Sequence, residues 1–141
     1  MTREPAGSIW PSATPPSGTD GLAWELSDVA QLPHVRAELR AHLRGTADAE
    51  LRDRLVLALD EMASNALRHG GGGVRARVQR TPDAWLIEVR DSAAATPPRP
   101  AVGRDPSQGG LGLYLIAEMA DDHGWHLADG QKAVWALLPR R

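Results

Sequence analysis

The sequence predicts an α+β domain built as a two-layer sandwich, with a mostly antiparallel, mixed sheet and helices on one face. Five short segments alternate apolar and polar residues, which is the period of strands with one buried face. Three other segments repeat apolar residues at steps of three and four, which is the period of helices. The strands follow one another as neighbouring pairs, and such pairs favour an antiparallel sheet.

The elements follow in the order strand, helix, helix, strand, strand, helix, strand, strand. We expect strands over 22–26, 74–79, 85–89, 125–127 and 133–138. A first helix begins near Pro33 and ends at Gly45, since proline suits the first turn and glycine the end. A second helix, capped by Thr46 or Asp48, continues to the glycine cluster 70–73. Asp129 and Gly130 predict a tight turn between the last two strands.

The flanking and connecting segments carry many prolines. Residues 1–20 are rich in Pro, Ser, Thr and Gly, so we expect a disordered tail in which Trp10 is mobile. The alternative is that Trp10 docks on the domain or on a partner. The domain then spans 21–141. A connection over about 92–109 has no apolar period, which indicates a functional lid or a disordered loop. It leads into glycines and a third helix with inward residues from Leu113 to Ala120.

Composition excludes several classes of function. The chain has 141 residues, enough for one domain with a sizeable core, and its net charge of −2 does not favour nucleic acid or membrane surfaces. It has no cysteine, which excludes disulfides, zinc–cysteine sites and thiol chemistry. The only lysine, Lys132, lacks the neighbours that a P-loop requires. With no apolar run of roughly 18 residues and no signal-peptide core, we expect a cytoplasmic protein.

Polar residues at three places can form one site. Glu61 and Asn65 stand four apart on the second helix, where their oxygens can orient water and hold a hard cation. Asp91 ends a strand and can accept hydrogen bonds from an exocyclic amine. Glycines at 109, 110 and 112 free backbone N–H groups for an anion before a helix. The alternatives are a solvated helix face, a turn residue, and glycines that only permit tight packing.

Taken in order, these motifs resemble the superfamily of GHKL ATPases with the Bergerat fold, which includes DNA gyrase, histidine kinases and mismatch-repair ATPases. Glu61, Asn65 and Ala66 resemble its N box, Asp91 its adenine-contacting aspartate, and residues 110–113 its second glycine box. Arg68-His69-Gly70 and the ending over 130–135 are most similar to anti-sigma-factor serine/threonine kinases of bacterial partner switching.

The resemblance implies that the protein binds ATP and Mg²⁺ and transfers a phosphoryl group. Glu61 is then the catalytic base and Asn65 the metal ligand. The implied nucleotide-binding residues are Asn65, His69, Asp91, Gly103, Gly109, Gly110, Leu111, Gly112 and Leu113. The implied partners are an antagonist protein, which is phosphorylated on serine or threonine, and a sigma factor, with a possible homodimer. The alternative is a protein-binding module of the same fold without catalysis.

The chain departs from the family pattern at two positions. Ala93 stands where the family's first glycine box has glycine. Ala133 stands where the family usually has a threonine that reaches the adenine through water. Both changes concern the adenine end of the site and leave the phosphate end intact.

Overall fold

The computed structural model describes residues 10–69, 73–92 and 111–140. Its elements, in chain order, are β1 (Thr19–Leu26), a 3₁₀ turn (Val29–Gln31), α1 (Leu32–His42), α2 (Ala49–His69), β2 (Val74–Arg80), β3 (Ala84–Asp91), α3 (Leu111–Met119), β4 (Asp122–Ala128) and β5 (Gln131–Pro139). All eight predicted strands and helices are present in the predicted order. No helix in the described ranges is long and apolar enough to cross a membrane.

The strands form one five-stranded sheet in the order β1-β2-β3-β5-β4, and neighbouring strands are antiparallel. Helix α2 packs against β2, β3 and the two other helices, so the helical layer covers one face of the sheet. A single parallel bridge joins Ser12 to Trp125 at the β4 edge. The predicted α+β two-layer sandwich is therefore confirmed.

Helix α2 is the centre of the helical layer. The Asp48 side chain accepts a hydrogen bond from the backbone N–H of Leu51 at 2.8 Å, so Asp48 is the cap. Leu55, Leu59 and Met62 continue the apolar stripe and are almost completely buried. Burying each such side chain stabilises the fold by about 1.5–3 kcal/mol, so packing of this stripe orients α2 and the polar residues beside it.

The hairpin between β4 and β5 confirms the predicted tight turn. Asp129 and Gly130 have φ angles of 53° and 78°, the left-handed values that a two-residue hairpin of this type needs. Glycine adopts such an angle without strain, and aspartate tolerates it better than most residues. The turn sets the register in which Lys132 faces Leu127.

Residues 10–18, here called the N-terminal strap, pack against the domain. Trp10 is 1% exposed, so the expectation that it is mobile is wrong. Its indole Nε1 donates a hydrogen bond to the Leu113 carbonyl at 3.3 Å. Its ring packs edge to face against the His123 ring, with the two ring centroids 4.9 Å apart. The backbone of Trp125 hydrogen-bonds to Pro11 and Ala13 at 3.0 and 2.9 Å. The packed part of the chain thus includes residues that composition assigned to the tail.

The strap also explains why the sheet is buried on both faces. On the face opposite the helices, Leu86 and Glu88 of β3 and Trp135 of β5 are each about 1% exposed. The expectation of one apolar face per strand is therefore wrong for β3 and β5. Ala13 accepts a hydrogen bond from the Trp135 indole at 2.7 Å, and Gly18 lies against Gln79 of β2. Because β3 lies between β5 and β2, residues 14–17 cross β3 on this face.

Candidate nucleotide-binding site

The topology brings the ends of several elements to one end of the sheet, here called the site end. Helix α2 ends at His69, and β2 begins at Val74 only a few residues later. The first residues of β2 pair with the last of β3, since Arg75 faces Arg90. The C-terminal end of α2 and the Asp91 end of β3 therefore meet at the site end. The start of β5 joins them, because Lys132 is the Cα partner of Asp91.

Asn65 lies in the penultimate turn of α2, on the side of the helix that neighbours the buried stripe. Its Oδ1 atom is shielded from solvent and has no hydrogen-bond partner within the described part of the chain. A buried amide oxygen left without a donor destabilises the fold by about 1–3 kcal/mol. An oxygen in this state is suited to a ligand that supplies a donor or a hard cation.

Glu61 stands one helical turn before Asn65 and is half-buried. Burial raises the pKa of its carboxyl above the ordinary 4.5, the negative charge of Asp60 raises this pKa further, and Arg68 acts in the opposite direction. A carboxylate with a raised pKa binds a proton more readily at neutral pH, which is the property that a general base needs.

Arg68 and His69 form the last turn of α2, where cations interact favourably with the helix dipole. The Arg68 guanidinium donates to the Ser64 hydroxyl at 2.6 Å and to the Ser64 carbonyl at 3.3 Å. Both Arg68 and His69 are exposed. Arg68 places positive charge at the site end, beside Glu61 and Asn65, where an anionic ligand would be attracted.

Asp91 is the last residue of β3, as predicted, and its side chain points to the helical face together with Val89. Its carboxylate is 2% exposed and lies 3.6 Å from the Lys132 Nζ. Ala133, the position expected to face the adenine, instead pairs with Arg90 and belongs to the opposite face of the sheet. The residue beside Asp91 is therefore Lys132, which the sequence did not single out for this site.

The predicted glycine-rich segment is described only in part. Gly103, Gly109 and Gly110, and the predicted lid after Ser92, lie outside the described residues. Leu111 and Gly112 open helix α3, and the Leu113 side chain is buried in the core. After α3, the Asp121 N–H donates to the Leu137 carbonyl at the end of the sheet opposite Asp91. Helix α3 therefore ends near the end of the sheet opposite Asp91, and its first residues lie closer to the site end.

A cavity of about 430 Å³ opens at the site end. Its described walls come from the end of β1, the start of β2, Ser92 after β3 and Gln131 of β5. The volume lies within the range of small-molecule sites. Asn65 and Asp91 do not line this cavity. We therefore assign the nucleotide-binding site from the chemistry of its side chains and from the topology of the sheet. The cavity lies beside that site.

An antiparallel sheet covered on one face by helices, with polar groups from α2, β3 and β5 at one end, is the architecture of the histidine-kinase-like ATPases. The comparison with protein families agrees, since the histidine kinase-like ATPase domain matches residues 26–138. The chain belongs to this family, and membership implies nucleotide binding.

Two curated relatives are a sensor protein and a signal transduction histidine-protein kinase. The chain is 35% identical over 105 residues to the alginate biosynthesis sensor protein KinB of Pseudomonas aeruginosa, which covers 62% of this chain and 18% of the relative. It is 35% identical over 83 residues to the signal transduction histidine-protein kinase AfsQ2 of Streptomyces coelicolor, covering 50% of this chain and 16% of the relative. The chain therefore spans less than a fifth of the length of each of these relatives.

Proposed function

We propose that this protein is an ATP- and Mg²⁺-dependent protein serine/threonine kinase that acts as an anti-sigma regulator. The observation that supports it most directly is the pair on α2. Asn65 presents a buried oxygen with no hydrogen-bond partner among the described residues, and Glu61, one turn away, has a carboxyl with a raised pKa. An oxygen ligand for a cation and a general base, held on one rigid helix, are what phosphoryl transfer to a hydroxyl requires.

The residues present fit a magnesium ion. Mg²⁺ prefers oxygen ligands and retains several waters, so one protein oxygen together with phosphate oxygens is a normal coordination set. Asn65 would hold the ion through Oδ1, which removes the unsatisfied acceptor seen in the structure. When bound, the ion neutralises charge on the phosphates.

The proposed step transfers the γ-phosphoryl group of ATP to a hydroxyl of a protein substrate. The Glu61 carboxylate accepts the hydroxyl proton as the new oxygen–phosphorus bond forms. The bond between the γ-phosphorus and the bridging oxygen breaks, and its electron pair leaves with ADP. Arg68, at the end of α2, adds positive charge on the side where the phosphates would lie.

The partners belong to the proposal as well. The hydroxyl acceptor is a serine or threonine of an antagonist protein, and phosphorylation releases the antagonist so that the kinase is free to hold a sigma factor. We also propose that the protein forms a homodimer and lies in the cytoplasm, where ATP is supplied. The sensor-kinase relatives support a second candidate, which is transfer to a histidine of another protein.

Calorimetry with ATP, in magnesium and in EDTA, tests nucleotide binding. We expect wild type to bind ATP more tightly with magnesium, and Asn65→Ala to lose most of this magnesium-dependent gain while retaining binding in EDTA. Glu50→Gln is the matched control, since Glu50 is an exposed residue in the first turn of the same helix, far from the site. If wild type releases no heat at millimolar ATP, the proposal is wrong.

Phosphate transfer distinguishes the two kinds of kinase and the non-catalytic alternative. With radiolabelled ATP and a candidate antagonist, the proposal predicts label on the substrate that survives acid, because phosphoserine and phosphothreonine are acid-stable. Label lost in acid and retained in base indicates phosphohistidine and the second candidate. Glu61→Gln should abolish transfer and leave ATP binding and partner binding intact. Partner binding without any transfer by wild type would support the non-catalytic module.

A further inference from the structure

Lys132 is the only lysine of the chain, and in the described residues it is one of three buried charged residues, with Glu88 and Asp91. Its side chain is 7% exposed, and it faces the Asp91 carboxylate, which is 2% exposed, from the neighbouring strand. Val134 and Ala136, which alternate with Lys132 along β5, belong to the core beneath the helices. The ammonium group therefore lies on the helical side of the sheet, at the site end.

The contact between Lys132 and Asp91 is longer than a hydrogen bond. Nζ and Oδ2 are 3.6 Å apart, whereas a charge-assisted hydrogen bond between such groups is about 2.7–2.9 Å long. An ammonium group has three N–H donors, and a buried charge is costly unless it is both paired and hydrogen-bonded. The 3.6 Å contact supplies the pairing but not the hydrogen bond. The arrangement places a strong donor beside a strong acceptor at the site end of the sheet.

The edge of adenine presents the complementary pattern. Its N6 amino group is a donor, and the neighbouring ring nitrogen N1 is an acceptor. A carboxylate can accept from more than one donor, so Asp91 can bind the amino group while it remains paired with Lys132. We propose that Lys132 donates a hydrogen bond to N1 of adenine and that, with Asp91, it determines the base specificity of the site. This inference rests on the proposed nucleotide binding.

A contact from Lys132 to adenine changes the expected consequence of the departure at Ala133. Ala133 faces away from the site, so the absence of threonine there does not by itself remove a contact to the base. Lys132 provides a direct, charged donor to the base from the position next to Asp91. The chain therefore retains a way to recognise adenine that differs from the water-mediated contact of the family pattern.

The test compares ATP with 1-deaza-ATP, in which a C–H group replaces the N1 acceptor. Wild type should bind 1-deaza-ATP about 10- to 100-fold more weakly than ATP, the loss expected for one hydrogen bond to a charged group. Lys132→Met keeps an unbranched side chain that is one atom shorter and removes the donor. This variant should bind ATP as weakly as wild type binds 1-deaza-ATP, and it should not distinguish the two nucleotides.

Lys132→Met also removes the ammonium group beside the buried Asp91 carboxylate, which lowers stability. The double variant Asp91→Asn with Lys132→Met removes both charges at nearly constant volume, so it controls for folding. Thermal unfolding should be restored toward wild type in the double variant, while discrimination between ATP and 1-deaza-ATP stays absent.

Three results would overturn the inference. Equal binding of ATP and 1-deaza-ATP by wild type would show that nothing contacts N1, with nucleotide binding itself upheld. Tighter ATP binding by Lys132→Met would show that the lysine blocks the site. The absence of any ATP binding by wild type would remove the proposed function together with this inference.

Discussion

Replacing Trp10 with alanine should destabilise the protein substantially, although its surrounding sequence has the composition of a tail. The indole is 1% exposed and lies in the main hydrophobic cluster. Truncating a buried tryptophan to alanine costs about 3–5 kcal/mol. The edge-to-face contact with His123 contributes about 0.5–1.5 kcal/mol of this. For a domain of this size the loss corresponds to a fall in Tm of roughly 10–20 °C.

The assay is urea unfolding followed by far-ultraviolet circular dichroism, which does not depend on the number of tryptophans. The slope of the transition should also fall, because the strap of the variant leaves the domain before global unfolding and less surface remains to be exposed. Ser12→Ala is the control, since Ser12 is exposed and contributes through its backbone, and it should stay within about 0.5 kcal/mol of wild type. A loss below about 1 kcal/mol for Trp10→Ala would refute the assignment of Trp10 to the core.

Three further changes probe the site and the sheet. The raised pKa of Glu61 predicts that phosphate transfer increases with pH through a midpoint above 4.5. Because of the same raised pKa, this carboxyl ionises at a higher pH in the folded chain than in the unfolded chain. The free energy of unfolding therefore falls as pH rises from about 4.5 through the raised pKa, and Glu61→Gln should lack this fall. Gly124→Ala should cost about 1–3 kcal/mol in urea unfolding, because its Cβ would lie 2.9 Å from the Pro11 carbonyl oxygen and 3.0 Å from the Trp135 ring. Glu88→Gln should cost up to about 3 kcal/mol in the same assay, because the buried carboxylate pairs with the Arg77 Nε at 2.9 Å.

Each change has a matched control and a contrary result. Equal pH dependence of stability in wild type and Glu61→Gln would show that Glu61 titrates as in the unfolded chain. The Cβ of Gly73→Ala would meet no atom of the described residues within 4 Å, so this control should change stability by less than about 0.5 kcal/mol. A similar loss at both glycines would contradict the proposed crowding at Gly124. Glu25→Gln breaks an exposed ion pair with Arg75 and should lower the free energy of unfolding by about 0–1 kcal/mol. If Glu88→Gln lowers it by no more than this, the burial of the Glu88 carboxylate contributes nothing to stability.

Patterns that are local in sequence predicted most of the fold. The stripe on α2 identifies the helix because its residues are neighbours at three- and four-residue steps, and Asp48 marks its start through a cap. Asp129 and Gly130 identify the hairpin because few residue pairs adopt both left-handed angles. On such elements the predicted boundaries lie within a few residues of those observed.

Features that depend on contacts between distant segments were not predicted. Trp10 donates to Leu113, which is 103 residues away, and no periodicity in a proline-rich segment indicates such a partner. Lys132 was missed because the family pattern was matched to Ala133, whereas Lys132 is the residue that pairs with Asp91. A shift of one residue exchanges the two faces of a strand, so Ala133 was placed at the site and Lys132 was not. Glu61, Asn65 and Asp91 keep their predicted roles as proposals.

The N-terminal strap has a consequence for how the chain folds. Ala13 accepts a hydrogen bond from Trp135, 122 residues away, so the strap docks only after β5 has left the ribosome. Until then the outer edge of β4 and one side of the central strands remain accessible to other chains, and open strand edges favour aggregation. In the finished protein, amide hydrogen exchange at Ala13 and Trp125 should report release of the strap as one cooperative unit, separate from global unfolding.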